Sequence, residues 1–163
     1  MTTLVLMGVT GACKTTVGVV LAQRFGWTFL DADDFHPDAN IAKMRAGIAL
    51  GDADRWPWLD ALNTRLRQCN ADGANAVLAC SALKNNYRER IAADLPDTHW
   101  VHLSGTYGQI ETRLQQRHGH YMAPSLLRSQ FDTLETPDDA LVLDIAATPA
   151  ALADAIAARF GLR

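Results

Sequence analysis

The sequence predicts an α/β fold built on a parallel sheet that helices cover on both faces. Two observations lead to this prediction: short apolar runs of strand length recur along the chain, and longer segments with helical spacing separate them. The runs are TLVLMG at 3–8, WTFLD at 27–31, AVLACS at 76–81, WVHLSG at 100–105 and LVLDI at 141–145. Ligands of such sheets gather at the carboxyl ends of the strands, so we expect a functional site after the first three runs.

Two of the predicted helices carry clear signals at their ends. The apolar stripe within 17–25 predicts a helix that begins in the loop after the first run and ends near Gly26. In the last helix, Thr148 is placed as the N-cap, Pro149 as the first helical residue and Gly161 as the terminating residue. These signals predict where each of the two helices begins and ends.

Composition indicates one globular domain spanning 1–163. The chain has 163 residues, of which 48% are hydrophobic and 20% charged, and a formal charge of −3 gives no electrostatic reason to expect nucleic acid or an anionic membrane as a partner. Three cysteines without a framework spacing argue against a disulfide scaffold. No signal peptide and no run of about 20 apolar residues is found, so we expect a cytoplasmic protein.

The turn GVTGACKTT at 8–16 resembles a phosphate-binding loop, G-x-x-x-x-G-K-[ST], at all but one position. A glycine-rich turn between a strand and a helix directs backbone N–H groups into one concavity, where the helix N-terminus favours anions. Lys14 would reach the outer phosphates of a nucleotide, and the Thr15 hydroxyl would be a ligand of Mg²⁺. The loop therefore predicts a nucleotide site.

Cys13 stands where the pattern has its second glycine. Glycine is favoured there because it tolerates positive φ and has no Cβ near the phosphates, and a left-handed cysteine costs about 1–2 kcal/mol. We expect the loop to bind nucleotide still, weakly or with a shifted backbone. Two alternatives remain open: an ordinary backbone angle at Cys13, or a redox switch favoured by Lys14 and the helix N-terminus.

Two carboxylates follow the second predicted strand in the stretch DADDFH at 31–36. A phosphoryl transferase needs one carboxylate to accept the proton of the acceptor hydroxyl and another to hold Mg²⁺ or its waters. Asp31 and Asp33 fit these two tasks. The alternative is an acidic turn that caps a helix beginning at Pro37.

Four further motifs follow in order: H-P-x-x-N-x-x-K-M at 36–44, D-x-D-R-x-P-W-L at 52–59, C-S-A-L-K-x-x-Y-R at 80–88 and S-Q-F-x-x-L-E at 129–135. Together with the loop, these motifs resemble those of the small P-loop gluconate kinases, and the resemblance extends from Leu4 to about Ala151. The chain departs from that family's pattern at Cys13 and at Ala49, where a proline is usual.

The resemblance implies ATP-dependent phosphorylation of D-gluconate to 6-phosphogluconate, with ATP and Mg²⁺ as cofactors. It also implies a three-layer P-loop kinase fold with a five-stranded parallel sheet, a substrate-binding helical segment at about 36–70, and a mobile helical lid at about 117–137. A homodimer is implied by the family alone.

The predicted nucleotide side consists of the loop and of two arginines four residues apart before the lid. Arg117 is the first choice for neutralising charge on the transferring phosphoryl group, and Lys14 and Asp33 complete the catalytic set. Asp31 and Thr15 would hold the metal ion, although Asp31 and Asp33 could exchange roles. The predicted nucleotide-binding residues are Gly8, Val9, Thr10, Gly11, Ala12, Cys13, Lys14, Thr15, Thr16, Arg113 and Arg117.

The predicted substrate side needs a cation for the carboxylate and polar groups for the hydroxyls of a sugar acid. Arg55 is the leading carboxylate partner because a guanidinium pairs with a carboxylate in a bidentate manner. The full predicted set is Asp33, His36, Asp52, Arg55, Ser81, Lys84 and Arg88.

Several members of this set have a plain structural alternative. Lys84 and Arg88 could form a solvated helix face, and His36 could make an ordinary helix contact. Asp54 is interpreted as a helix cap, with Pro57 in the first turn, whereas Asp52 stays open between cap and ligand.

Further assignments concern the tryptophans and the predicted lid. Trp56 and Trp58 are interpreted as packing residues, His120 and Tyr121 as lid residues, and His118 and His120 have no metal-ligand spacing. Two rival functions remain: a related kinase acting on shikimate or another sugar acid, and a nucleotide-binding module whose activity Cys13 has impaired.

Overall fold

The computed structural model describes residues 1–117 and 124–163 and has the predicted α/β architecture. Five strands form one sheet in the order β2-β3-β1-β4-β5, and every recorded neighbour pair is parallel. The strands are β1 (Thr3–Met7), β2 (Thr28–Asp31), β3 (Ala76–Ala79), β4 (Thr98–Ser104) and β5 (Leu141–Asp144). Each of the five predicted runs therefore coincides with a strand, and β4 begins two residues before its run.

The described helices cover the two faces of the sheet, and a short 3₁₀ turn, Ala32–Phe35, follows β2. The helices are α1 (Lys14–Phe25), α2 (Asp38–Arg45), α3 (Asp52–Ala71), α4 (Asn85–Ile91), α5 (Tyr107–Gln116), α6 (Pro124–Thr133) and α7 (Pro149–Phe160). The end signals of α1 and α7 are confirmed, because Gly26 and Gly161 are left-handed C-caps and the Thr148 hydroxyl accepts from the N–H of Ala151.

Two hydrophobic layers lie on opposite sides of the sheet because side chains alternate along each strand. From β1, Leu4 and Leu6 pack into the layer formed with α1, α5 and α7, whereas Val5 and Met7 pack into the layer formed with α3 and α4. All five residues of β1 are buried. The central strand is thus fixed from both faces, and so is the loop that follows it.

Two helix starts differ from the sequence expectation. Asp38 is the first residue of α2, and Pro37 is its N-cap. The N-cap of α3 is Gly51, so the interpretation of Asp54 as the N-cap was wrong; Asp54 caps the helix from the third helical position, where its carboxylate accepts from the N–H of Gly51. Because α3 begins at Asp52, Pro57 lies in the second turn, and its placement in the first turn was wrong.

The helical glycines Gly18 and Gly108 give a matched test of the packing between α1 and the sheet. A Cβ added at Gly18 would lie 2.6 Å from Cε2 of Phe29 in β2, whereas a Cβ at Gly108 meets no atom within 4 Å. We expect Gly18→Ala to lower the free energy of unfolding by about 1–3 kcal/mol through overpacking. Gly108→Ala should leave it unchanged or raise it by up to about 1 kcal/mol.

Urea titrations of both variants beside the parent protein measure this difference. Equal stabilities of Gly18→Ala and the parent would show that α1 is not packed tightly against β2.

Candidate active site

The loop at 8–16 forms a tight turn at the carboxyl end of β1. Gly8 has φ 144° and Gly11 has φ 87°, and a Cβ at Gly8 would lie 2.6 Å from the carbonyl oxygen of Leu103. Only glycine fits such a position without moving the neighbouring strand. Within the turn, the N–H of Ala12 donates to the carbonyl of Val9 at 3.2 Å, and Thr15 and Thr16 are exposed in the first turn of α1.

Lys14 folds over this turn from the first position of α1. Its Nζ donates to the carbonyl oxygens of Gly8 at 3.0 Å and Val9 at 2.9 Å. The pKa of Lys14 is lowered to about 8, chiefly because the side chain is buried; Cys80, Asp33 and Asp31 oppose this shift, and the positive charge of Arg117 adds a smaller contribution to it. The two carbonyl contacts therefore hold the ammonium group in place, although the negative charge nearby does not fully compensate for its burial.

Cys13 adopts the left-handed conformation that the loop pattern reserves for glycine, with φ 64° and ψ 25°. The alternative of an ordinary backbone angle was wrong. The thiol accepts a hydrogen bond from Arg113 of α5 at 2.6 Å, and the same guanidinium donates to the carbonyl of Ile145. Cys13 thus joins the loop to α5 and, through Arg113, to the segment after β5.

The two carboxylates after β2 are arranged differently from each other. Asp31 accepts from the Thr15 hydroxyl at 3.0 Å and from the N–H of Asp33 at 3.0 Å, so its side chain caps the 3₁₀ turn and not α2. The Asp33 side chain keeps access to solvent. Partial desolvation by its surroundings, and then the charge of Asp31, raise the pKa of Asp33.

These groups share one cleft with a volume of about 160 Å³ at the carboxyl edge of the sheet. The cleft is lined by Thr10, Gly11, Cys13, Lys14, Thr15, Asp31, Asp33, Ala79, Cys80, Ser81 and Arg117. Lys14 and Asp33, which the sequence predicted to converge, therefore do so. Ser81 enters from the end of β3, and Arg117 from the C-cap of α5.

His36 lies near both Asp33 and Arg55, whose charges act on its ring. Its ring stacks on Trp58, with 4.3 Å between ring centroids, and Trp58 donates to the carbonyl of Ala32 at 2.7 Å. Burial lowers the pKa of His36, the charge of Asp33 opposes that shift, and the charge of Arg55 adds to it. The buried Trp58 is a packing residue, as predicted, and it orients the His36 ring.

A second group of charged side chains, here called the acceptor cluster, comprises Asp52, Arg55, Lys84 and Tyr87. The Tyr87 hydroxyl donates to Asp52 at 2.5 Å, and Lys84 donates to the same carboxylate oxygen at 3.3 Å. The Arg55 guanidinium lies over the Tyr87 ring, 5.4 Å from its centroid, and Arg55 Nε is buried without a hydrogen-bond partner in the described structure. The acceptor cluster is formed by the beginnings of α3 and α4.

Comparison with individual known proteins identifies the family, although no family model matches the chain. A gluconokinase of Gluconobacter oxydans is 49% identical over 136 residues, which cover 83% of this chain and 76% of that protein. The chain belongs to the gluconokinase family. An unliganded sugar kinase structure from Janibacter matches with a TM-score of 0.92 at 38% identity, covering 99% of this chain and 95% of that one. A gluconokinase structure from Sinorhizobium meliloti matches with a TM-score of 0.87 at 38% identity, covering 98% and 93%.

Arg88 departs from the role that sequence analysis gave it in this gluconokinase-family chain. Its guanidinium donates to the carbonyl of Ala82 at 2.6 Å, to the carbonyl of Glu135 at 2.7 Å and to the side chain of Asn85. Arg88 is buried and does not line the cleft. The described contacts therefore favour a structural role, in which Arg88 fixes the left-handed turn at Ala82, over contact with substrate.

Sequence analysis of the motifs missed the roles of Tyr87 and Gln130. Gln130 of α6 accepts from the N–H of Thr10 at 2.7 Å and donates to the Thr10 hydroxyl at 3.0 Å, which attaches α6 to the phosphate-binding loop. Both residues lie inside quoted motifs, C-S-A-L-K-x-x-Y-R and S-Q-F-x-x-L-E. The motifs marked the positions, but only tertiary contacts show what the side chains touch.

The predictions for His118, His120 and Tyr121 concern residues outside those that the structure describes. Within 1–117 and 124–163, no helix is long and apolar enough to cross a membrane.

The lowered pKa of Lys14 predicts a pH-dependent stability of the nucleotide-free protein. Between about pH 8 and its unperturbed pKa, Lys14 is deprotonated in the folded chain but protonated in the unfolded chain, so stability should rise with pH across this window. We expect the free energy of unfolding of the parent protein, minus that of Lys14→Met, to increase from pH 8 to pH 10.

The difference between the two proteins cancels other groups that titrate there, including Cys80, whose pKa burial raises to about 12. Urea unfolding at several pH values gives the measurement. A difference that stays constant with pH would contradict the shift assigned to Lys14.

Proposed function

We propose that this chain catalyses ATP-dependent phosphorylation of D-gluconate to 6-phosphogluconate. The single observation that carries the proposal is that Lys14 of the phosphate-binding loop and Asp33 line the same cleft. One belongs to the element that would hold the terminal phosphate, and the other is a carboxylate that can orient an acceptor hydroxyl toward it. Membership of the gluconokinase family supports gluconate as that acceptor.

On the nucleotide side, the backbone of Gly8–Thr16 would hold the phosphates of ATP, with Val9, Gly11 and Ala12 shaping the turn. Lys14 would exchange the carbonyls of Gly8 and Val9 for phosphate oxygens. The negative charge of the phosphates would stabilise the ammonium form of Lys14, which burial disfavours. Arg117, which also lines the cleft, would neutralise charge on the transferring group, and Arg113 would support the nucleotide beside Cys13.

Thr15 and Asp31 fit a site for Mg²⁺. Their side-chain oxygens lie 3.0 Å apart, and hard oxygen donors are the ligands that Mg²⁺ prefers. In the part of the chain that the structure describes, no three His, Cys, Asp or Glu side chains form a metal-binding group. Phosphate oxygens and water would therefore supply most of the coordination, as is usual for Mg²⁺. The ion would neutralise charge that develops on the phosphate groups.

On the acceptor side, Asp33 would accept the proton of the terminal hydroxyl of gluconate. Its raised pKa makes it a better proton acceptor than an ordinary surface aspartate. Arg55 would pair with the carboxylate of the sugar acid, and His36, Ser81 and Lys84 would bind its hydroxyls. Asp52, which the structure bonds to Tyr87 and Lys84, would act on the acceptor side by positioning these groups. Asp31 and Asp33 divide their tasks in this proposal because Asp31 already contacts Thr15.

The resemblance also supports three proposals about organisation. The first is one domain over 1–163, with an acceptor-binding segment at about 36–70 and a lid at about 117–137. The others are a homodimer, which light scattering of the purified protein tests, and a location in the cytoplasm.

A coupled assay of ADP release over a panel of sugar acids tests the proposed function. We expect turnover with D-gluconate and not with shikimate. Turnover with another acid in place of gluconate would overturn the substrate assignment, and nucleotide binding without any turnover would favour a binding module.

Within that assay, Asp33→Asn should lower kcat by about 100- to 10,000-fold, because a general base contributes that much. Asp34→Asn is the matched control, since the neighbouring carboxylate is exposed and does not line the cleft. The control should retain the parental kcat. Equal activity of Asp33→Asn and the parent would exclude Asp33 as the base.

The Cys13 position gives a separate prediction for nucleotide affinity. Cys13 already has the backbone angle that glycine prefers, so Cys13→Gly should keep the loop geometry while removing a side chain from the cleft wall. We expect ATP to bind a few-fold more tightly to Cys13→Gly, measured by calorimetry. Cys13→Ser retains a Cβ and a polar atom and should match the parent. An affinity of Cys13→Gly no better than that of the parent would show that the thiol does not weaken nucleotide binding.

A further inference from the structure

The acceptor cluster contains a charge arrangement that an isolated helix would not adopt. Asp52 and Arg55 stand three residues apart at the beginning of α3, the spacing at which opposite charges on a helix pair with each other. No such ion pair forms here. The carboxylate of Asp52 is instead bonded to two groups of the neighbouring segment, the hydroxyl of Tyr87 and the ammonium of Lys84.

Tyr87 holds both members of this broken pair. Its hydroxyl fixes Asp52, and its ring face carries the Arg55 guanidinium at 5.4 Å and the Lys84 ammonium at 5.5 Å. An aromatic face attracts cations without using their N–H donors. Arg55 is therefore held in position while its hydrogen-bonding capacity stays available.

The Tyr87 side chain is itself rigidly placed. It is 3% exposed, and Trp56 meets its ring edge-on with 5.9 Å between centroids. Two cations and one carboxylate then leave the cluster with a surplus positive charge. Arg55 is also not saturated with hydrogen bonds, because its buried Nε has no hydrogen-bond partner among the described residues.

We propose that Tyr87 is a positioning residue that keeps Asp52 from pairing with Arg55, so that the carboxylate of the sugar acid meets an unoccupied guanidinium. This inference rests on the proposed function, and it deepens it by making the Tyr87–Asp52 pair a determinant of affinity for anionic acceptors. Asp52 acts here through Arg55 and does not itself bind the substrate hydroxyls.

Tyr87→Phe tests the proposal because it keeps the ring and removes only the hydroxyl. Released from Tyr87, Asp52 should compete for Arg55 and raise the KM for gluconate about three- to tenfold, the range that one lost hydrogen bond supports. The KM for ATP and kcat should stay at parental values, because the ring still carries Arg55.

Rescue separates positioning from a general structural defect. Asp52→Asn removes the competing charge, so the double variant Tyr87→Phe with Asp52→Asn should return the KM for gluconate to the parental range. In an Arg55→Met background, Tyr87→Phe should cause no further increase, since the group it protects is absent. A Tyr87→Phe defect that persists in the double variant would overturn the proposal, and so would a parental KM in Tyr87→Phe.

Urea unfolding shows whether Tyr87→Phe folds, and Asp52→Asn alone provides the test if it does not. We expect a parental or lower KM for gluconate in Asp52→Asn. A higher KM would indicate direct contact of Asp52 with a substrate hydroxyl and would overturn the proposal. Calorimetric titration of the parent protein with gluconate distinguishes failure of the proposed function from failure of the positioning role of Tyr87. If gluconate does not bind, the same variants are titrated with the carboxylate acceptor that the panel identifies, and the absence of any acceptor overturns both proposals.

Discussion

The burial of β1 on both faces is the constraint on which the candidate site depends. This strand lies at the centre of the sheet, between β3 and β4, and none of its side chains reaches solvent. Its carboxyl end is therefore fixed by two hydrophobic layers, and the loop at 8–16 begins from a point that cannot move independently. Parallel pairing then brings the ends of β2 and β3 to the same edge, which places Asp31, Asp33 and Ser81 beside Lys14.

Electrostatics inside the cleft prepare it for a ligand that carries negative charge and a metal ion. Lys14 has a lowered pKa because burial outweighs its acidic neighbours, while Asp33 has a raised pKa because desolvation and Asp31 act together. In both groups the cleft thus destabilises the charged form relative to the same group in water. A polyphosphate would stabilise the ammonium form of Lys14, and a cation on Asp31 would relieve the repulsion at Asp33.

Local signals in the sequence were enough for the fold and for the position of the site. The Thr148 cap and the Gly161 terminator depend on residues a few positions apart, and both are confirmed. Asp54 also caps a helix, although from its third position and not as the N-cap. Contacts between distant segments could not be predicted in this way. Arg88 finds its acceptors partly at Glu135, 47 residues later, so its spacing from Lys84 revealed nothing about its partners. The same holds for Tyr87, which meets Asp52 at a separation of 35 residues.

Cys13 shows how a departure from a motif can be accommodated by tertiary structure. The position demands a left-handed backbone, and a side chain there costs about 1–2 kcal/mol relative to glycine. The thiol gains a contact that glycine cannot make, because Arg113 donates to it while also reaching the carbonyl of Ile145. The loop therefore keeps its turn geometry and becomes attached to α5. Arg117, which also lines the cleft, is the C-cap of the same helix, so the contact between Cys13 and Arg113 connects the loop to the helix whose end carries this cation.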